Sequence, residues 1–251
     1  MLEFRDVSFS YGQKAVLRHI SAQIAPQKIT CVLGKNASGK STLFQLAAGL
    51  LGGYGGEILL DGRALGAFKP KERARHISIL PQWRAIPQLT AAQLVAHGRY
   101  PHLGPRHVLT QEDQEKIRQA MERTDTAALA QAYLSALSGG QRQRVYLAMV
   151  IAQDAEIILL DEPTTYLDIE VQHGLLAIVR ELKRQGKTVV MTLHDLALAL
   201  EYSDALLLLE QGRLLASGAT QEVLASRKIE AAFRVGIYGT ENGYVVRPAH
   251  E

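Results

Sequence analysis

The chain has 251 residues, 47% hydrophobic and 21% charged, with a formal net charge of +3. That balance fits a soluble globular protein with chain enough for a core plus a subdomain. The charge is too small to argue for a nucleic-acid partner, and no apolar run approaches the roughly eighteen residues of a membrane span. The N-terminal stretch, Met1 to Asp6, has acids and no apolar core, so it does not read as a signal peptide. The single cysteine, Cys31, excludes an internal disulfide and fits the reducing cytoplasm.

Residues 2–24 read as short strands: Leu2/Phe4, Val7/Phe9 and Ile20/Ala22/Ile24 alternate at period two around Tyr11-Gly12. On residues alone, Tyr11 is an ordinary turn aromatic. An apolar run over 29–33 enters Gly34-Lys35-Asn36-Ala37-Ser38-Gly39-Lys40-Ser41-Thr42, which fits G-x-x-x-x-G-K-[ST], and a helix-like run over 43–50 leaves it. A glycine-rich turn between strand and helix points successive backbone N–H groups into one concavity. The positive end of the helix dipole adds to the attraction, so the stretch suits a polyphosphate. Lys40 would reach the β- and γ-phosphates, and the Ser41 hydroxyl would ligate Mg²⁺. The plain alternative is a glycine turn with no ligand.

A strand over 57–60 ends at the turn signal Asp61-Gly62, so an antiparallel sheet is expected against the nucleotide core. The charge run 69–75 reads as the solvated face of a short helix, and the brief strand 77–80 stops at Pro81-Gln82. From 83 to 137 the character changes. Thr90 caps an alanine-rich helix to about Gly98, and a loop with Pro101, Gly104 and Pro105 follows. Thr110-Gln111-Glu112-Asp113 then opens a helix as a capping box with Asp in place of Glu. The stretch reads as a helical insertion dividing a nucleotide core of 1–82 and 138–251.

Leu137-Ser138-Gly139-Gly140-Gln141 leads into a helix through Ala152. Two glycines behind an N-cap serine bare the backbone N–H groups and make a second anion site, which need not serve the same bound molecule within one chain. A loop–helix junction is the plain alternative. Next, the apolar run 157–160 ends in Asp161-Glu162. Acids at the carboxyl end of a buried parallel strand emerge where doubly wound sheets bind ligands. Asp161 can hold Mg²⁺ through water, and Glu162 can take a proton from an attacking water. A helix over 169–185 and a strand over 187–192 bring in His194, placed after its strand as Asp161 is after its own. There it can touch a phosphate. A helix over 196–202, a strand over 205–209, short helices around 221–225 and 229–233, and a hairpin over 238–246 turning at Asn242-Gly243 complete an α/β chain.

With these motifs in place the chain resembles the ATP-binding subunits of ABC transporters over essentially its whole length. The ordered set carries the resemblance: the phosphate loop at 34–42, Gln82, the pentapeptide Leu137 to Gln141, Asp161-Glu162-Pro163, Leu167-Asp168 and His194. Two longer strings, Leu89-Thr90 through Val95-Ala96-His97-Gly98-Arg99-Tyr100-Pro101-His102 and Asp161-Glu162-Pro163-Thr164-Thr165-Tyr166-Leu167-Asp168-Ile169, are similar to importers of iron–siderophore complexes, haem and cobalamin.

The resemblance implies a P-loop ATPase core with an antiparallel β subdomain and an inserted helical subdomain, with ATP and Mg²⁺ as cofactors. Tyr11 would stack on adenine. Gly34, Asn36, Ala37, Ser38, Gly39, Lys40, Ser41 and Thr42 would wrap the phosphates, with Ser41, Gln82 and Asp161 at the metal. Glu162 would be general base, His194 would bind the γ-phosphate, and Gln82 and Lys40 would complete the catalytic group. Asp168 would sit at the interface of a head-to-tail homodimer. Ser138, Gly139, Gly140 and Gln141 would cap the nucleotide held by the other copy. Polytopic permease subunits would dock on the insertion near Gln82 and Arg99 to His107, and a substrate-binding protein would act indirectly. The chain would then lie peripherally on the cytoplasmic face of the membrane. Its end at Glu251 leads us to expect no C-terminal regulatory domain. Many family members carry Gly where this chain has Ala37, so a positive φ there would strain alanine. The rival readings are a soluble ABC ATPase with no membrane partner and the ATPase subunit of an exporter. The single phosphate loop and short insertion count against the first.

Overall fold

Two long strands, β1 (Leu2–Tyr11) and β2 (Lys14–Ile24), open the chain where three short ones are expected from the sequence. A register shift between Phe4 and Val7, with Asp6 at φ 52°, explains the difference. The bulge resets the alternation by one residue, so Leu2, Phe4, Val7 and Phe9 all turn inward along one continuous strand. The structure, a computed structural model, describes residues 1–82, 86–165, 167–241 and 243–249. The expected turn residue Asn242, the first residues of the insertion (83–85) and Tyr166 lie outside it.

The elements continue as β3 (Ile29–Leu33), α1 (Lys40–Ala47), β4 (Gly55–Leu60), β5 (Arg63–Ala64), α2 (Pro70–His76), β6 (Ile77–Leu80), α3 (Ala91–His97), α4 (Gln111–Arg123), α5 (Gly139–Ala152), β7 (Ile157–Leu160), α6 (Ile169–Arg184), β8 (Thr188–Met191), α7 (Leu196–Tyr202), β9 (Ala205–Glu210), β10 (Arg213–Ala219), α8 (Thr220–Ala225), α9 (Lys228–Phe233), β11 (Val235–Thr240) and β12 (Gly243–Pro248). The central sheet has the order β10-β9-β3-β8-β7-β6, with only β10 antiparallel to its neighbour. A second, antiparallel sheet runs β2-β1-β4-β5, and β11 pairs with β12 in the closing hairpin.

The parallel strands are apolar on both faces because both faces are covered. Cys31, Ile158, Leu160, Val189, Met191 and Leu208 point to one core, shared with α3 to α7. Their neighbours Val32, Ile157, Leu159, Val190 and Leu207 point to the other, shared with α1 and the antiparallel sheet. Strand β10 is absent from the sequence reading because Leu214-Leu215-Ala216-Ser217-Gly218 has no period-two alternation. The overlooked signal is Gln211-Gly212 before it, both at positive φ, a two-residue hairpin turn.

Among the described residues of the insertion, α3 and α4 begin as expected. Thr90 accepts from the Gln93 N–H at 3.3 Å, and Thr110 accepts from the Asp113 N–H at 3.2 Å. Arg99 corrects the sequence reading. It is buried, its guanidinium donates to Asp113 at 2.8 Å and to the Ala152 carbonyl at 2.8 Å, and it cannot face a docking partner. Burial pushes the Asp113 carboxyl up, but hydrogen bonds from Thr110 and then Arg99 outweigh it and hold the group at about 2. Charge reversal at Arg99 therefore reads stability, because it would bury two like charges together. The exposed Arg106 is the residue whose reversal tests docking.

Candidate functional site

Strands β3, β6, β7 and β8 run parallel, so their carboxyl ends emerge on one edge of the sheet. Each delivers one part of the site there. After β3 comes the glycine-rich loop, after β6 Gln82, after β7 Asp161 and Glu162, and after β8 Thr192 and His194. This is the edge at which such sheets hold ligands.

Helix α1 starts at Lys40, earlier than the apolar run indicates, so the last residues of the motif form its first turn. Its N-cap, Gly39, has φ 104° and supplies no side-chain cap, which leaves the first N–H groups for a ligand. The glycines are required by contact as well as by conformation. A Cβ at Gly39 would stand 2.6 Å from Leu17 Cδ2, and one at Gly34 would stand 2.5 Å from the Leu209 carbonyl. The Lys40 ammonium donates to the Gly34 carbonyl at 2.7 Å and the Lys35 carbonyl at 3.2 Å. Burial lowers its pKa, and the nearby Glu162 and Asp161 carboxylates oppose that shift.

Ala37 has φ 63°, a left-handed conformation that favours glycine. Replacing it with glycine removes the bias of the loop away from this shape. Ala37→Gly should tighten nucleotide binding by up to about 1–2 kcal/mol, less what the extra freedom of glycine takes back. Calorimetry checks this, and an unchanged or weaker affinity would show that alanine sits at this φ without strain.

The loop forms one wall of a cavity of about 740 Å³, lined also by Tyr11, Lys14, Val16, Arg18, Gln82, Glu162, Thr165, His194 and Gln211. That is within the usual span of about 300–1,000 Å³ for small-molecule sites. Half of the Tyr11 surface is exposed. Its ring meets Phe9 edge to face at 4.9 Å, and its hydroxyl donates to Gln45 Oε1 at 3.2 Å. The Glu162 carboxylate is nearly buried, yet Oε2 meets three groups: His194 Nε2 at 2.6 Å, the Gln82 amide, and the Thr165 hydroxyl at 3.4 Å. Asp161 lies beneath, off the cavity wall, accepting from the Thr192 hydroxyl at 2.9 Å, with Ser41 close enough to act on its carboxyl. Burial pushes its carboxyl up from the ordinary value. The Ser41 and Thr192 hydroxyls oppose the shift, Glu162 adds to it, and Lys40 opposes it.

Thus the structure brings Tyr11, Asn36 to Thr42, Gln82, Glu162 and His194 to one cavity and sets Asp161 beside Ser41. Ser138, Gly139, Gly140, Gln141 and Asp168 do not line it. Ser138 caps α5, accepting from the Gln141 N–H at 3.2 Å, while the Gln141 side chain accepts from the Ser138 N–H at 3.0 Å. Asp168 caps α6, accepting from the Val171 N–H at 2.9 Å. Gly139 has open space where a side chain would go, and Gly140 faces Leu167 and Val171 at ordinary contact distance. Sequence reasoning missed Lys14, Arg18, Thr165, Thr192 and Gln211. Lys14 and Arg18 lie on either side of a register shift in β2, so period-two spacing does not group them.

The ABC transporter family profile matches residues 17–165. The petrobactin import ATP-binding protein FpuD of Bacillus anthracis is 39% identical, over 93% of this chain and 86% of its own. The ferric enterobactin transport ATP-binding protein FepC of Escherichia coli is 38% identical, over 92% and 86%. For the hemin import ATP-binding protein HmuV of Pseudomonas fluorescens the figures are 38%, 93% and 92%. Among solved structures, a metal-chelate type ABC transporter in an inward-facing conformation superposes with a TM-score of 0.82 at 26% identity, over 98% of this chain and 95% of that one. The dimeric cassette MJ0796 gives 0.79 at 25% identity, over 88% and 99%. No helix among the described residues is long and apolar enough to cross a membrane. The chain therefore belongs to the ABC transporter family, as an ATP-binding subunit that couples ATP hydrolysis to transport.

Proposed function

We propose that this subunit powers import of a metal chelate of the iron–siderophore, haem or cobalamin kind, acting as a head-to-tail dimer with two ATP at the interface. The observation that carries the hydrolytic part is the convergence of His194 and Gln82 on Glu162 Oε2 in the cavity that Lys40 and the phosphate loop also line. A carboxylate so placed can take the proton of an attacking water. His194 and Lys40 face the γ-phosphate, the loop N–H groups hold the phosphates, and Tyr11 offers its exposed ring to the base.

Among the described residues no group of three His, Cys, Asp or Glu could cage a metal ion. Ser41 and Asp161, side by side at the edge of the cavity, are hard oxygen ligands of the kind Mg²⁺ takes when phosphates supply the rest. Mg²⁺, held there with Gln82 nearby, would neutralise charge on the transferred phosphoryl group. Ser138 to Gln141 and Asp168, which lie off the cavity, fit roles at the second copy's nucleotide. The insertion 83–137 carries the groove for a polytopic permease at the membrane's cytoplasmic face, and a substrate-binding protein delivers the cargo on the other side. The cargo class rests on the relatives, whose names specify petrobactin, enterobactin and hemin.

The test is copurification with the permease, reconstitution into vesicles with the substrate-binding protein on the opposite side, and measurement of which chelate stimulates ATP hydrolysis. Stimulation by a siderophore, haem or cobalamin complex is the expected result, and stimulation by none of the three overturns the cargo class. Arg106→Glu should weaken permease assembly and spare ATPase activity of the isolated chain; full assembly would count against the groove.

A further inference from the structure

None of the roles above uses Thr192, which is wholly buried just past the end of β8. Its hydroxyl accepts from the Glu162 backbone N–H at 2.7 Å and donates to Asp161 Oδ1 at 2.9 Å. One oxygen with one proton thus ties two neighbouring acids together, using both halves of its hydrogen-bonding capacity. Its own backbone N–H donates to the Leu160 carbonyl at 3.0 Å, so Thr192 is itself fixed to the last residue of β7.

Glu162 needs such a hold. Its φ is 52°, the left-handed region that a non-glycine residue keeps only when its surroundings impose it. The Asp161 carboxylate stays beneath, beside Ser41, and the Glu162 carboxylate reaches the cavity wall. His194, two residues beyond Thr192, meets the other end of the same glutamate, with Nε2 2.6 Å from Oε2. A hydroxyl and an imidazole on one short segment therefore hold the backbone and the carboxylate of Glu162. The preceding strand residues Thr188 to Met191 are all buried, and a valine would fill the volume of Thr192. Packing alone does not call for the hydroxyl at this position.

We propose that Thr192 is a positioning residue for ATP hydrolysis, its hydroxyl setting where the Asp161 and Glu162 carboxylates stand relative to one another. This rests on the reading of Glu162 as base and Asp161 as metal-holding acid. The test compares the full chain with Thr192→Val and Thr192→Ser in three measurements: kcat, affinity for a non-hydrolysable ATP analogue in metal-free buffer, and the gain in that affinity on adding Mg²⁺. Loss of a hydrogen bond to a charged group predicts a fall in kcat of about 10- to 100-fold for valine. Metal-free affinity should stay within about threefold, the Mg²⁺-dependent gain should shrink, and serine should restore kcat to within about threefold of the parent. A merely structural role would lower metal-free affinity as well and leave the Mg²⁺ gain alone.

Retention of kcat by the valine chain, equal loss in the serine and valine chains, or an unaltered Mg²⁺ gain would each overturn the proposal. Should the valine chain fail to fold, Thr192→Ala, measured where its circular dichroism matches the parent, takes its place under the same criteria. Glu162→Gln separates the two readings. Loss there with full activity in the Thr192 variants sinks only the Thr192 role, whereas full activity in Glu162→Gln sinks the base assignment itself.

Discussion

Replacing Glu162 with glutamine should cut ATP hydrolysis by roughly 10²–10⁴-fold while ATP still binds, and an ATP-bound dimer should accumulate. The amide keeps the length and shape of the carboxylate but cannot accept the proton of an attacking water. Its oxygen can still take the hydrogen bond from His194, so the cavity wall should stay in place. The Lys40 ammonium and the loop N–H groups, proposed to hold the phosphates, are untouched by the change. Single-turnover hydrolysis, paired with size exclusion in ATP, reads both expectations at once. Near-normal turnover would transfer the proton to another group, and His194, 2.6 Å away, would be the first to examine.

Much of this site was legible because its parts are local. Strands β6 and β7 have the boundaries that their apolar runs indicate, since turn or acidic residues stop each run directly. The glycine loop is a local pattern as well: its conformation depends on residues within it, and only its contacts with Leu17 and Leu209 come from elsewhere. Capping boxes at Thr90, Thr110 and Ser138 formed because N-cap and N3 residues are three apart and need no tertiary help.

What the sequence hid is non-local. An arginine in a loop between two helices reads as solvated, yet Arg99 finds a carboxylate 14 residues on and a carbonyl 53 residues on, and the pair withdraws it from the surface. Thr192 reads as the polar end of a strand until the fold sets it against Glu162, 30 residues back. The bulge at Asp6 broke a pattern whose two halves each alternate correctly. Asp168 shows a further limit: its capping bond to Val171 is a sufficient structural reason for an aspartate, so its presence alone could not separate that role from one at an interface.

The placement of Ser138 to Gln141 off the cavity motivates the second large effect, rescue between two inactive chains. The α5 N-terminus and the phosphate loop are proposed as two separate anion sites, and one small polyphosphate would be enclosed by both if they face each other across an interface. Lys40→Ala loses the loop lysine and keeps the pentapeptide. Gly140→Asp keeps the loop and puts a carboxylate where the phosphates would lie; the nearest groups to a side chain at 140 are Leu167 and Val171, 3.7 to 3.8 Å from a Cβ, so the fold should accept it. Each homodimer then lacks any site with both parts sound, and each should be close to inactive. In the mixed dimer the sound loop of the Gly140 variant meets the sound pentapeptide of the Lys40 variant, while the opposite site is doubly broken. Mixing should restore ATP binding in a dimeric form, to at most one site per dimer, with slow hydrolysis following. Differently tagged chains allow the mixed species to be isolated and its bound nucleotide counted. If the pentapeptide acted on the nucleotide of its own chain, every site in the mixture would carry one lesion, and isolated mixed dimers would bind no more ATP than either parent.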